Sequence, residues 1–257
     1  MSNGKPRVAV IGTGGTISSV GVNSLDIVRY VENNKIYQID ELLDAFPETK
    51  EQADVVPVRL RAMPSTAIGP PEWLEINAKI HELVDDDPSI AGIVVTHGTA
   101  TLEETAYFLN LTVKVDIPVV LVGAQRPATG LSTDAAMNLV NAIRVAKDPN
   151  SRGRGALAVL NDEIHFARDV TKTSTLRLHT FKSRDSAILG LADFYKIASH
   201  RMPYRRRMPD TDSHVRSLIA LPRSDINLSY AAADTTRLKA PDQTGPTAHA
   251  VVPMPLA

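Results

Sequence analysis

The chain has no cysteine. That removes disulfides, thiol nucleophiles and thiolate metal sites at once. It also has almost no net charge, −1 at pH 7, so nothing in its overall field draws it to nucleic acid. No apolar run approaches the ~20 residues that a membrane-spanning helix needs. The opening Met-Ser-Asn-Gly-Lys-Pro-Arg runs straight into a strand without the apolar stretch of a signal peptide. The expectation is therefore a cytoplasmic protein with neither a nucleic-acid nor a membrane partner. The histidines at 81, 97, 165, 179, 200, 214 and 249 show no H-x-x-x-H spacing, so no metal site and no cofactor are expected. No internal repeat is visible. A chain of 257 residues can bury one large core and part of a second.

What is present is an alternation. Short apolar runs at 7–12, 54–60, 90–96, 117–123 and 155–161 predict strands. Between them Trp73, Ile76, Ile80, Leu83 and Val84 recur at helical spacing, as do Met137, Val140, Ile143 and Val145 after Ser132 and Asp134. The fold class expected is α/β, an open and mostly parallel sheet with helices on both faces. Asp85-Asp86-Asp87 predicts a solvated helix end.

Three turns concentrate the chemistry. Ile90 to Val95 leads into Thr96-His97-Gly98-Thr99-Ala100-Thr101. Thr101 then stands three residues before Glu104, the capping-box spacing, and Glu103 and Glu104 suit the positive end of the helix that follows. Hydroxyls thus gather between a strand's carboxyl end and a helix N-terminus, where open α/β sheets place ligands and where backbone donors suit an oxyanion. Val8 to Ile11 leads into Gly12-Thr13-Gly14-Gly15-Thr16-Ile17-Ser18-Ser19. This turn lacks the Gly-Lys-Ser/Thr ending of a P-loop and the G-x-G-x-x-G spacing of a dinucleotide site. What remains is a loop presenting hydroxyls, suited to threonine nucleophilic catalysis if a base is near. The third stretch, Arg168-Asp169-Val170-Thr171-Lys172-Thr173-Ser174-Thr175, offers Lys172. Desolvated, it would lose its proton and serve as a base; solvated, it is an ordinary surface cation. The sequence leaves both open.

Thr13-Gly14-Gly15-Thr16-Ile17, the Thr96–Thr105 stretch, Val122-Gly123-Ala124-Gln125-Arg126-Pro127 and Arg168 to Thr173 occur in this order. Together they resemble the bacterial-type L-asparaginase/glutaminase family, a resemblance that covers about residues 6–240. It implies that Thr16 is the primary nucleophile and Tyr30 the lid tyrosine that activates it. It implies that Ser65, beside Thr66, meets the substrate α-carboxylate, and that Thr99 and Lys172 form a second catalytic pair. Gly15, Gly98, Ala100 and Ala124 fall at substrate-binding positions, with oxyanion donors near Thr99 and Ala124. The implied reaction is hydrolysis of a side-chain amide, with ammonia leaving from a threonine acyl-enzyme. The implied assembly is a homodimer or homotetramer.

Two departures stand out. Where the resemblance places an aspartate that holds the substrate's α-amino group, this chain has Ala100. An α-ammonium there would lack a charge-assisted bond of about 1.5–3 kcal/mol, and Lys172 would lack a counter-charge. The expected effect is weaker amino-acid selectivity rather than loss of hydrolysis. The second departure is the short end. The expected organisation is a large catalytic domain at 1–200, a linker at 201–222 and a remnant of a small α/β domain at 223–257. In that remnant Ser224 to Ala231 predicts a strand, and the prolines and glycine after 241 predict irregular chain. Arg201 and Arg205 to Arg207, followed by Asp210 and Asp212, are expected to be part of the linker rather than a nucleic-acid site. Two other readings of the whole are a non-catalytic relative that binds a small ligand or partner chain, and an amidase subunit for tRNA-dependent amidation.

Overall fold

The computed structural model describes residues 4–183, 187–193 and 196–199, together with strands at 228–230 and 250–252. The chain divides into two compact units, Met1–Arg216 and Ser217–Ala257.

The first unit is built on one eight-stranded sheet. Its strands are β1 (Arg7–Gly12), β2 (Asp54–Arg59), β3 (Ile90–Thr96), β4 (Val119–Val122), β5 (Ala156–Leu160), β6 (Glu163–Phe166), β9 (Gly190–Ala192) and β10 (Ile197–Ser199). Strands β7 (Val170–Lys172) and β8 (Phe181–Ser183) form a separate antiparallel hairpin. The sheet order is β10-β9-β6-β5-β4-β3-β1-β2. Neighbours from β2 to β5 are parallel, and those from β5 to β10 antiparallel. The helices are α1 (Ile39–Ala45), α2 (Glu48–Gln52), α3 (Pro70–Asp86), α4 (Leu102–Thr112) and α5 (Ala135–Lys147).

The parallel strands β1, β3, β4 and β5 are buried on both faces, while β2 lies at the sheet edge and is partly exposed; alternation sends the buried residues to two cores. Val8 and Val10 of β1 pack with Leu42 of α1 and Leu139 and Ile143 of α5. Ala9 and Ile11 pack on the opposite face with Ile76 and Ile80 of α3 and Leu109 of α4. The mostly parallel sheet with helices on both faces is thus the one expected. Met137 of the α5 stripe differs, since it is 40% exposed; Ala135, Asn138 and Leu139 take the buried face instead.

The strand order places the site. From β1 the chain moves to one side for β2 and crosses to the other for β3. The crevice outside the carboxyl ends of β1 and β3 is therefore a topological switch point, where such sheets open to ligands. Register brings the carboxyl ends of β1, β3 and β4 level, with Gly12 opposite Thr96 and Thr96 opposite Val122.

In the second unit, β11 (Leu228–Tyr230) pairs in parallel with β12 (Ala250–Val252). The strand expected at 224–231 is present in shortened form. The expectation of irregular chain after 241 is overturned at Ala250–Val252, where β-branched Val251 and Val252 find a partner strand. The linker at 201–222 with its arginines, and the rest of the tail, lie outside the described residues.

Candidate active site

The turn after β1 is held down before it presents anything. Thr13 donates its hydroxyl to the Thr96 carbonyl at 2.6 Å. Gly15 has φ 84°, and a Cβ there would lie 2.3 Å from the Gly98 Cα. A Cβ on Gly98 would lie 2.6 Å from the Ser65 hydroxyl oxygen. The glycines thus serve backbone-to-backbone approach between the loops that carry Thr16, Thr99 and Ser65.

Thr16 opens a single turn of 3-10 helix, Thr16–Ser18. Its hydroxyl lies 2.8 Å from the Tyr30 hydroxyl, with either group able to donate. Tyr30 belongs to a flap over 20–35. The flap is closed at its base by the Val20 N–H to the Lys35 carbonyl and the Tyr37 N–H to the Ser18 carbonyl.

Thr99 follows β3 and is buried at 6% exposure. Lys172 of β7 donates from Nζ to Thr99 Oγ1 at 2.7 Å. Burial pushes this ammonium down to about 8, and Glu103 opposes that fall. Lys172 is therefore the desolvated lysine of the two readings left open above. The Thr99 hydroxyl in turn donates to Gln125 Oε1 at 3.0 Å. The Gln125 amide nitrogen is aimed at the Ser174 and Arg177 carbonyls, which leaves its oxygen facing Thr99. The Gln125 turn is itself pinned by Asp134, whose carboxylate accepts from the Gln125 and Arg126 N–H groups.

Behind Thr99 runs a directional chain of hydrogen bonds. Trp73 Nε1 donates to Thr105 Oγ1 at 2.8 Å, and Thr105 lies 3.0 Å from His97 Nε2. His97 Nδ1 lies 2.8 Å from the Gly98 carbonyl. A carbonyl only accepts, so the neutral ring carries its proton on Nδ1 and Nε2 accepts from Thr105. His97 is fully buried, and burial pushes its imidazolium down to about 4. It is a satisfied core histidine that braces the Gly98 peptide.

A cavity of about 400 Å³ gathers Thr16, Tyr30, Thr99, Lys172, Gly15, Ser65, Thr66, Gly98 and Ala100. These are the residues singled out in the sequence, except Ala124, whose side chain lies in the core. Lys35, Asn34 and Ile36 also line the wall and carried no sequence signal. Gln125 sat inside a recognised motif without a role. Among the described residues of the wall there is no carboxylate.

One local expectation fails and another is exceeded. Thr101 precedes α4, but its hydroxyl makes no cap; it donates to the Ser65 carbonyl at 2.7 Å instead. Glu103 does more than serve its helix start: it accepts from the Thr171 hydroxyl and the Lys172 N–H. For Thr101 a partner 36 residues away displaces the local cap; Glu103 keeps its place in the first turn and adds distant partners. Among the described residues no group of three or more His, Asp or Glu could hold a metal ion.

Paired hydroxyls at the carboxyl ends of β1 and β3, one against a tyrosine and one against a half-buried lysine, define a two-threonine α/β site. The family model for the N-terminal part of asparaginase matches residues 7–205, and the chain belongs to the asparaginase family. It is 42% identical over 226 residues to L-asparaginase 2 of Bacillus subtilis, covering 88% of this chain and 59% of that one. It is 40% identical over 235 residues to L-asparaginase 2 of Escherichia coli, covering 91% and 66%. The crystal structure of a probable cytoplasmic L-asparaginase from Campylobacter jejuni superposes with a TM-score of 0.78 at 36% identity, covering 90% of this chain and 69% of the other. The chain thus spans about 60% of the length of the Bacillus relative.

Proposed function

We propose that this chain is an asparaginase-type amidohydrolase that converts a side-chain amide, L-asparagine or a related compound, to the acid and ammonia. The observation that carries the reading is the pair of threonine hydroxyls on one cavity, each within 2.8 Å of a group that can handle its proton. Thr16 Oγ1 attacks the amide carbon as its proton passes to the Tyr30 hydroxyl, which hands its own on to the amide nitrogen. The C–N bond breaks and the nitrogen leaves as ammonia. Water, oriented by Thr99 with neutral Lys172, then cleaves the ester and restores Thr16. Backbone N–H groups at the Thr99 turn stabilise the oxyanion, and Ser65 and Thr66 meet the substrate carboxylate.

The same proposal divides the chain into a catalytic part at 1–200, a linker at 201–222 and a remnant domain at 223–257. It makes the assembly a homodimer or homotetramer, without nucleic acid, membrane or cofactor. It places the protein in the cytoplasm. The Campylobacter protein is described as cytoplasmic and a Haemophilus influenzae relative as periplasmic; the former supports the location proposed.

The test is ammonia release from asparagine, glutamine and simple amides by the purified chain. Thr16→Ala should abolish release with an unchanged circular dichroism spectrum, because a half-buried loop hydroxyl contributes little to the core. Near-normal activity in that variant would remove Thr16 from the mechanism. No ammonia from any amide in the unsubstituted chain would favour the non-catalytic reading.

A further inference from the structure

Glu103 stands in the first turn of α4, four residues beyond Thr99, and its two carboxylate oxygens have separate tasks. Oε1 accepts from the Thr171 hydroxyl at 2.9 Å, and Oε2 accepts from the Lys172 backbone N–H at 2.5 Å. One side chain therefore ties the helix that follows Thr99 to the strand that carries Lys172, across 69 residues of sequence. The hairpin it grips is only three residues long on each side, and so short a pair has little stability of its own.

The charges around Lys172 point the same way. Lys172 and Lys35 both line the cavity, and among the described residues no carboxylate lines it with them. From the flap, Tyr30 and Lys35 face the cavity; from the turns after β3 and β4 come uncharged Thr99 and Gln125. On β8, Lys182 pairs with Thr171, so alternation directs it away from the face that Lys172 occupies. Glu103 is the acid whose charge bears on Lys172, and it raises a proton affinity that burial lowers.

We propose that Glu103 is the positioning residue of the Thr99–Lys172 pair, tying the element that follows Thr99 to the strand of Lys172 and supplying the negative charge behind the buried ammonium. The inference rests on the reading of that pair as catalytic. Glu103 touches no reacting atom. It acts by setting how far Lys172 reaches and how readily it gives up its proton.

The two tasks separate by substitution. In Glu103→Gln the amide oxygen still accepts from the Lys172 N–H, and the amide nitrogen donates to a turned Thr171 hydroxyl, so the tie survives and the charge does not. In Glu103→Ala both are lost. The primary readout is the Lys172 side chain itself, followed by ¹³Cε chemical shift in lysine-labelled protein and assigned with Lys172→Met. In Glu103→Gln its titration midpoint should fall by about one pH unit. The acid limb of kcat should move down with it, because Lys172 acts after the acyl-enzyme has formed. Glu103→Ala should lower kcat by about tenfold or more while kcat/KM, set by acylation, changes little. An unmoved Lys172 midpoint in Glu103→Gln, or an unchanged kcat in Glu103→Ala, would overturn the proposal. If the unsubstituted chain releases no ammonia, the amidohydrolase reading fails, and the Lys172 midpoint still decides the role of Glu103. If Glu103→Ala does not fold, the Glu103→Gln midpoint carries the test.

Discussion

Ala100 is exposed in the cavity wall beside Thr99, and among the described residues the charged groups of that wall are the two lysines. A zwitterionic amino acid placed there keeps a partner for its carboxylate and finds none for its ammonium. Ala100→Asp should therefore lower KM for asparagine about tenfold or more, the worth of one charge-assisted bond. It should leave KM nearly unchanged for an ω-amide that lacks the amino group. Steady-state kinetics on the two substrates decide the point. An equal change on both would mean that position 100 does not face the amino group.

At the scale of elements, the turn after β3 is braced from within by a buried imidazole. His97 and His165 are both fully buried, and burial above all pushes each down to about 4. Unfolded, both would take up protons below about 6.5. Between these values the unfolded chain binds more protons than the folded one, so stability rises with pH. It is complete above about 6.5 and is lost as pH falls towards 4. From pH 6.5 to 5 each imidazole should account for a loss of about 1.5 kcal/mol. Urea unfolding of the unsubstituted chain and of His97→Asn across this range should show a shallower slope in the variant. Equal slopes would mean that His97 is not one of the groups responsible.

For the whole molecule, the flap raises the question of what covers it. Val22 and Leu25 are 75% exposed, Val28 and Val31 63%, with Leu131 at 60% nearby. Apolar side chains gathered in so short a segment favour association, which supports the proposed homodimer or homotetramer. Sedimentation at micromolar concentration should report a mass of two or four chains, and Leu25→Ser with Val28→Ser should move it towards one. A monomer at every concentration would remove the flap from any interface.

Sequence by itself determined the elements that repeat over enough residues to show a period. The five parallel strands and the stripes of α3 and α5 are local patterns of apolar spacing, and the structure has them within a residue or two at most ends. It also determined the family and most of the residues that gather on the cavity wall, because motifs are contiguous; Asn34, Lys35 and Ile36 of that wall carried no such signal. The strands from β6 to β10 escaped, since three or four residues carry too little period to stand out; so did β12. Tertiary structure decided the rest. The burial of Lys172, the grip of Gln125 on Thr99, the reach of Glu103 to β7 and the loss of the Thr101 cap to Ser65 all depend on partners 26 to 73 residues away. A side chain's proton affinity and hydrogen-bond partner are set by whatever the fold brings beside it, and that is written in no local spacing.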